Sequence, residues 1–178
     1  SNNKSNQWVL DKFHVHKFEG IPEGGTVLEN PDKVADELKI ALQKLKINTT
    51  NAAIAIPVTS AIIRVVTAPL MTDDELKKAI DTDSLWENLV QLTDNLNDYS
   101  IFHQVINKDK TGNTMDILFV ASKLSDINNY TDIIKKGGLN AVIIDVKCFA
   151  LKSAVDQVNQ IAGSIEESNL TAVLEFGL

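Results

Sequence analysis

Hydrophobic positions along this chain recur in two different periods, and the change of period marks the elements. Over residues 32–45, Val34, Leu38, Ala41, Leu42 and Leu45 fall three and four apart, which predicts an amphipathic helix. Residues 52–57 are almost continuously apolar, the pattern of a strand buried on both faces. A second β-branched run follows over 60–67 and stops at Pro69. Near the start, Trp8, Leu10, Phe13, Val15 and Phe18 alternate with polar residues with one slip, predicting a strand with a bulge over 8–18. Residues 20–31 hold three Gly and two Pro and read as a loop.

The second half repeats the alternation. Thr72 and Glu75 are spaced as a capping box, and Asp73 and Asp74 suit the positive end of a helix dipole, so a helix is predicted from there to about Ile80. A further helical stretch is predicted over 84–92. Strands over 99–106 and 114–121 are joined by NKDKTGN, which has hairpin-loop chemistry. A helix over 122–136 presents Leu124, Ile127, Tyr130, Ile133 and Ile134 on one face, and Gly137–Gly138 stops it. A strand over 139–146, a helix over 149–161 and a last strand over 169–178, carried by Leu170, Ala172, Leu174 and Phe176, complete the series. Strands alternating with helices predict a mixed α/β architecture.

Composition narrows the function. With 17 Lys plus Arg against 24 Asp plus Glu, the net charge is −7, which argues against a nucleic-acid role because phosphate binding needs a basic footprint. A hydrophobic fraction of 44% supports a packed core, and no apolar run approaches the ~20 residues of a membrane span. Cys148 is the single cysteine, so no internal disulfide forms, in keeping with a reducing compartment. Residues 1–7 read as a linker or cloning scar, and the expectation is a soluble, cytosolic chain.

Candidate chemistry is sparse. His14 and His16 are two apart on an extended segment and share a face, which permits metal gripping but more simply gives two exposed histidines. Cys148 opens a helix, where the dipole lowers a thiol pKa, yet no His adjoins it and a small hydrophobe is the simpler role. Lys110–Thr111–Gly112 matches one element of the serine β-lactamase set without the Ser-x-x-Lys nucleophile that the set requires. Asp145, at a strand–helix junction, is the one acid placed as a phosphotransferase base would be; a helix-start or structural role is the plainer account. Neither nucleotide fingerprint, GxxxxGK[ST] or GxGxxG, occurs.

Two stretches carry a family resemblance. Residues 52–76 (AAIAIPVTSAIIRVVTAPLMTDDEL) and 119–154 (FVASKLSDINNYTDIIKKGGLNAVIIDVKCFALKSA) together resemble the type IV pilus assembly protein PilM family. The last element of that pattern, Asp-Val-x-x-(Phe/Tyr)-Ala-Leu, is reproduced in order by Asp145, Val146, Phe149, Ala150 and Leu151. The resemblance implies an actin-like, FtsA-related (ribonuclease H-like) α/β subdomain 1A with an inserted α+β subdomain 1C. Residues 8–58 and 139–178 would form 1A, with strand 170–176 beginning the second lobe. Residues 59–138 would form 1C, and helix 122–137 fits either subdomain.

The resemblance further implies a cytoplasmic scaffold of pilus biogenesis, peripheral to the inner membrane through a partner. That partner is the N-terminal cytoplasmic tail of a PilN-like inner-membrane protein, held between 1A and 1C, with other pilus platform proteins nearby. Candidate partner-binding residues are Val58, Ser60, Ile62, Leu118, Val120 and Ser122; their alternation serves core packing equally well. The family implies ATP and Mg in the full-length protein, with Glu175 and Gly177 where the second phosphate loop starts Asp-x-Gly. The Gly-rich first phosphate loop of the family is not in this sequence, and Glu replaces the Asp. A lobe-sized piece of a longer protein that binds nucleotide weakly or not at all is therefore expected. Residues 81–98 also lack the family's Tyr-Ile-Pro-(Phe/Tyr) element. An actin-fold phosphotransferase and the cytoplasmic domain of a type II secretion platform are the alternative functions.

Overall fold

The computed structural model describes residues 9–20, 26–82, 84–90, 95–162 and 172–175. The chain divides into two compact units: residues 1–54, 129–145 and 152–178 in the first, 55–128 and 146–151 in the second. The architecture is mixed α/β with parallel and antiparallel sheets.

The first unit is built around α1 (Pro31–Leu45), which opens with Pro in its first turn and ends at Lys46 in a left-handed conformation. Its buried residues Val34 and Ala35 pack with Ile133 of α4 (Leu124–Lys136), joined by the partly buried Phe18, Val27 and Leu28. Strand β1 (Asn51–Ile56) pairs with β5 (Asn140–Val146) in a two-stranded sheet, and α5 (Lys147–Ala162) follows β5 directly. Burial along β1 alternates between exposed and partly buried up to the buried Ile56, which corrects the expectation of a strand covered on both faces. Among the described residues β1 has a single strand partner, β5.

Residues 9–18 form no strand, a second correction. Side-chain alternation supplies only the pattern of a strand, and a ladder needs a paired backbone. The segment is fastened instead by side chains: Lys12 Nζ donates to the carbonyls of Leu45 and Lys46, each at 2.8 Å, and His16 Nε2 lies 2.6 Å from Glu37 Oε2. Trp8 lies outside the described residues. The strand expected over 169–178 is likewise not formed at 172–175, where the chain is exposed; the rest of it lies outside the described residues.

The second unit is organised by an antiparallel sheet in the order β2 (Ile62–Pro69), β4 (Thr114–Lys123), β3 (Tyr99–Asp109). Central β4 pairs Val66 with Ile117 on one side and His103 with Phe119 on the other. On one face Met115, Ile117, Phe119 and Ala121 of β4 are almost fully buried beneath α2 (Asp73–Asp81) and α3 (Ser84–Leu89). Trp86 of α3, 1% exposed, lies 4.9 Å from the Phe119 ring and is the largest side chain of this core. The predicted capping box is present at α2: Thr72 Oγ1 accepts from the Glu75 N–H, and Glu75 returns a carboxylate to the Thr72 N–H at 2.8 Å. Ser60 stands outside β2, in the 3-10 turn Val58–Ser60.

Candidate functional site

The outer face of the three-stranded sheet exposes apolar side chains on its flanking strands, while Val120 and Ser122 of its central strand are buried. Because side chains alternate along a strand, the β4 residues Leu118, Val120 and Ser122 point away from the core that Phe119 and Ala121 enter. Register places Ile63, Val120 and Phe102 in one row across the sheet, and Val65, Leu118 and Gln104 in the next. Phe102 is 58% exposed and Val65 59%, whereas Val120 between its neighbours is buried. One end of this apolar band is closed by a polar row, in which Asp116 accepts from Thr67 Oγ1 at 2.8 Å and from Asn107 Nδ2 at 3.2 Å. At the other end Ser122 lies opposite Ser100.

Of the six partner-binding candidates, three are therefore brought together: Leu118, Val120 and Ser122 share the outer face. Ile62 is paired with Ala121 and packs against the core cluster, on the opposite face. Val58 is exposed on the 3-10 turn that precedes β2, with Ser60 at the end of that turn. Sequence reasoning missed Val65 and Phe102, the most exposed large apolar members of the face. The signal was available in residues 99–106, where Ile101, His103 and Val105 take one parity and Phe102 the other.

The remaining candidates fall elsewhere. Glu175 is exposed in a segment that is neither helix nor strand, and Gly177 lies outside the described residues. His14 and His16 have ring centroids 5.7 Å apart, and His16 is half-buried against Glu37. Among the described residues no three His, Cys, Asp or Glu side chains come together as a metal site. Cys148 is free and exposed in the first turn of α5. Asp145 is the penultimate residue of β5. The Lys110–Thr111–Gly112 stretch is a turn whose Thr111 and Gly112 N–H groups both donate to Asp109 Oδ1, a structural duty. No helix of the described residues is long and apolar enough to cross a membrane.

These features define a mixed α/β protein with an apolar sheet face and no assembled metal cluster among its described residues. The profile of the family described as type IV pilus assembly protein PilM matches residues 1–178, and the chain belongs to that family. It is similar to a chain of the structure titled "PilM-PilN type IV pilus biogenesis complex", with 18% identity and a TM-score of 0.59 over 80% of this chain and 42% of that one. A weaker likeness, TM-score 0.41 at 14% identity, covers 62% of this chain and 42% of the cytoplasmic domain of EpsL, an inner-membrane component of the type II secretion system of Vibrio cholerae. The chain thus spans less than half the length of both solved chains. No curated protein sequence matches it significantly.

Proposed function

We propose that this chain is a scaffold component of type IV pilus biogenesis that works in the cytoplasm and captures the N-terminal tail of a PilN-like inner-membrane protein. The observation that carries this reading is the family match along the whole chain. The similarity to a chain from a PilM–PilN complex supports the kind of partner. In this reading the first unit corresponds to subdomain 1A of the actin-like fold and the second to the inserted subdomain 1C. The tail makes contact at the Val58–Ser60 turn and at Leu118, Val120 and Ser122 of β4, of which Leu118 is the accessible one and Val120 and Ser122 are buried. Peptide capture beside a sheet combines backbone pairing with side-chain pockets, which suits a band of this kind.

Nucleotide belongs to the same reading only at the level of the whole protein. Phosphate binding needs converging N–H groups from loops such as the family's two phosphate loops, and in this sequence Glu175 stands where the second of them has Asp. We therefore assign weak or no Mg-ATP binding to this chain; a calorimetric titration giving micromolar affinity would overturn that assignment.

The capture itself is tested by fluorescence anisotropy with a labelled peptide copying the N-terminal tail of a PilN-like inner-membrane protein. The expected result is saturable binding that Leu118→Asp and Ser60→Trp weaken with the circular dichroism spectrum unchanged. Absence of binding to the native chain would remove the proposed function.

A further inference from the structure

Residues 9–18 are neither helix nor strand, yet side chains hold this segment to the first unit at three points. Lys12 Nζ reaches the carbonyls of Leu45 and Lys46, His16 meets Glu37, and Phe18 packs with Val34 and Ala35. The segment therefore runs back along α1 from its last turn toward its first. Between the Lys12 and Phe18 anchors stand His14 and His16, two imidazoles on a backbone that is already fastened on both sides.

The two rings are placed as a chelating pair. Their centroids are 5.7 Å apart and their planes are tilted by 42°. With Zn–N bonds of about 2.0 Å, two imidazoles on one tetrahedral ion hold their centroids about 5.2 Å apart. Neighbouring positions on a square-planar ion, the geometry of copper(II) or nickel(II), would need about 4.5 Å. The tetrahedral value is the nearer one, and a small rotation of the exposed His14 side chain closes the remaining gap.

His16 also has the support that metal-bound histidines have. Glu37 Oε2 lies 2.6 Å from its Nε2, so the carboxylate takes the Nε2 proton, fixes the ring and leaves Nδ1 with a lone pair. The Phe18 ring stands edge-on to it at 6.2 Å. His14 makes no hydrogen bond among the described residues, so a metal ion displaces no partner there. The nearest cation along the segment, Lys12, is engaged by the last carbonyls of α1, the negative end of that helix.

We propose that His14 and His16 bind a zinc ion between their imidazoles, with Glu37 as the positioning residue behind His16 and water completing the tetrahedron. Two protein ligands make a weaker, exchangeable site than the three of a catalytic centre or the four of a structural one, in keeping with the lack of a three-ligand cluster among the described residues. Bound there, zinc ties His14, which has no other hold, to a ring fastened on α1, and so stiffens segment 9–18 against that helix. The site belongs to the first unit, whereas the tail contacts proposed above all belong to the second.

The test is isothermal titration calorimetry of the tag-free chain with zinc chloride in a buffer that does not bind metal, paired with amide NMR shifts. The expected result is one saturable site of micromolar affinity with the largest shifts over 12–18. His14→Ala, an exposed change, and His16→Ala should each weaken binding at least tenfold with the circular dichroism spectrum unchanged. His103→Ala, which removes the third histidine of the chain from the other unit, should leave it unaltered. Glu37→Gln should weaken it about tenfold, and ring-nitrogen NMR should show His16 released from the Nε2–H tautomer. No saturable zinc binding, unaltered affinity in His14→Ala, or an equal loss in His103→Ala would each overturn the proposal.

Discussion

Lys136 Nζ stands 2.6 Å from Asp32 Oδ1, joining the last turn of α4 to the first turn of α1 across a sequence separation of 104 residues. Each charge also complements the dipole of its own helix, the acid at an N-terminus and the base at a C-terminus. The hydrogen bond from Lys136 and then its charge hold the Asp32 carboxyl below its usual 3.8; the same bond and charge hold the Lys136 ammonium above 10.5.

The signs fix the pH window. A depressed carboxyl contributes stability that is complete above 3.8 and is lost as pH falls through its lower folded value. A raised ammonium contributes stability that is complete below 10.5 and is lost as pH rises through its higher folded value. Both groups are exposed, so the contribution is small and screened by salt. Lys136→Met is expected to lower the melting temperature slightly at neutral pH in low salt, with the difference from wild type vanishing in high salt. A difference of equal size at both salt concentrations would contradict this account.

The α2 capping box gives a prediction of different size. Thr72→Ala removes the acceptor for the Glu75 N–H and is expected to destabilise the second unit by about 1 kcal/mol in urea titrations. Hydrogen bonds from the Thr72 backbone and then its hydroxyl hold the Glu75 carboxyl below 4.5. Its share of stability is therefore complete above 4.5 and is lost as pH falls through the lower folded value. Titrating the Glu75 side chain by NMR in Thr72→Ala should show its pKa moving upward; a pKa that stays put would contradict the geometry.

The two faces of the β2–β4–β3 sheet should respond in opposite ways. Trp86→Ala empties the largest position of the core and is expected to cost ~3–5 kcal/mol. Val65→Ala on the outer face should cost no more than ~0.5 kcal/mol, because Val65 is already largely solvated. Equilibrium denaturation followed by circular dichroism distinguishes these outcomes, and a large loss at Val65 would mean that the outer face is covered.

The stop after α4 supplies a further prediction. Gly138 has φ +90°, a region that Cβ-bearing residues avoid, so Gly138→Ala should destabilise by more than ~1 kcal/mol. At Gly137 the cause is space: an added Cβ would meet Leu38 Cδ2 of α1 at 2.6 Å and must displace it. Hydrogen–deuterium exchange should therefore show weaker protection in α1 for Gly137→Ala, and in the end of α4 alone for Gly138→Ala.

Local signals carried most of the elements. The helix predicted over 32–45 is Pro31–Leu45, and the hairpin strands predicted over 99–106 and 114–121 extend to Tyr99–Asp109 and Thr114–Lys123. The capping box is where Thr72 and Glu75 put it, because its spacing is itself the geometry. Residues 9–18 and 172–175 went the other way: both alternate, but alternation records a preference for a pleated surface, and pairing depends on which backbone lies alongside.

The candidate site was legible only in part for the same reason. Parity along one strand groups Leu118, Val120 and Ser122, since period-two alternation needs no tertiary information. It could not place Ile62 on the other face, because that assignment rests on its pairing with Ala121 across two strands. Nor could it single out Phe102, whose exposure depends on β3 being the outermost strand.

By itself the sequence determined the helices, the caps, the acidic balance and the PilM-family membership, because these are fixed by residue type and spacing along the chain. Tertiary structure alone decided which strands are edges, which face of the sheet meets solvent and which acids have partners. Those properties belong to pairs of segments far apart in the chain, and register, set by packing, is what brings such segments together.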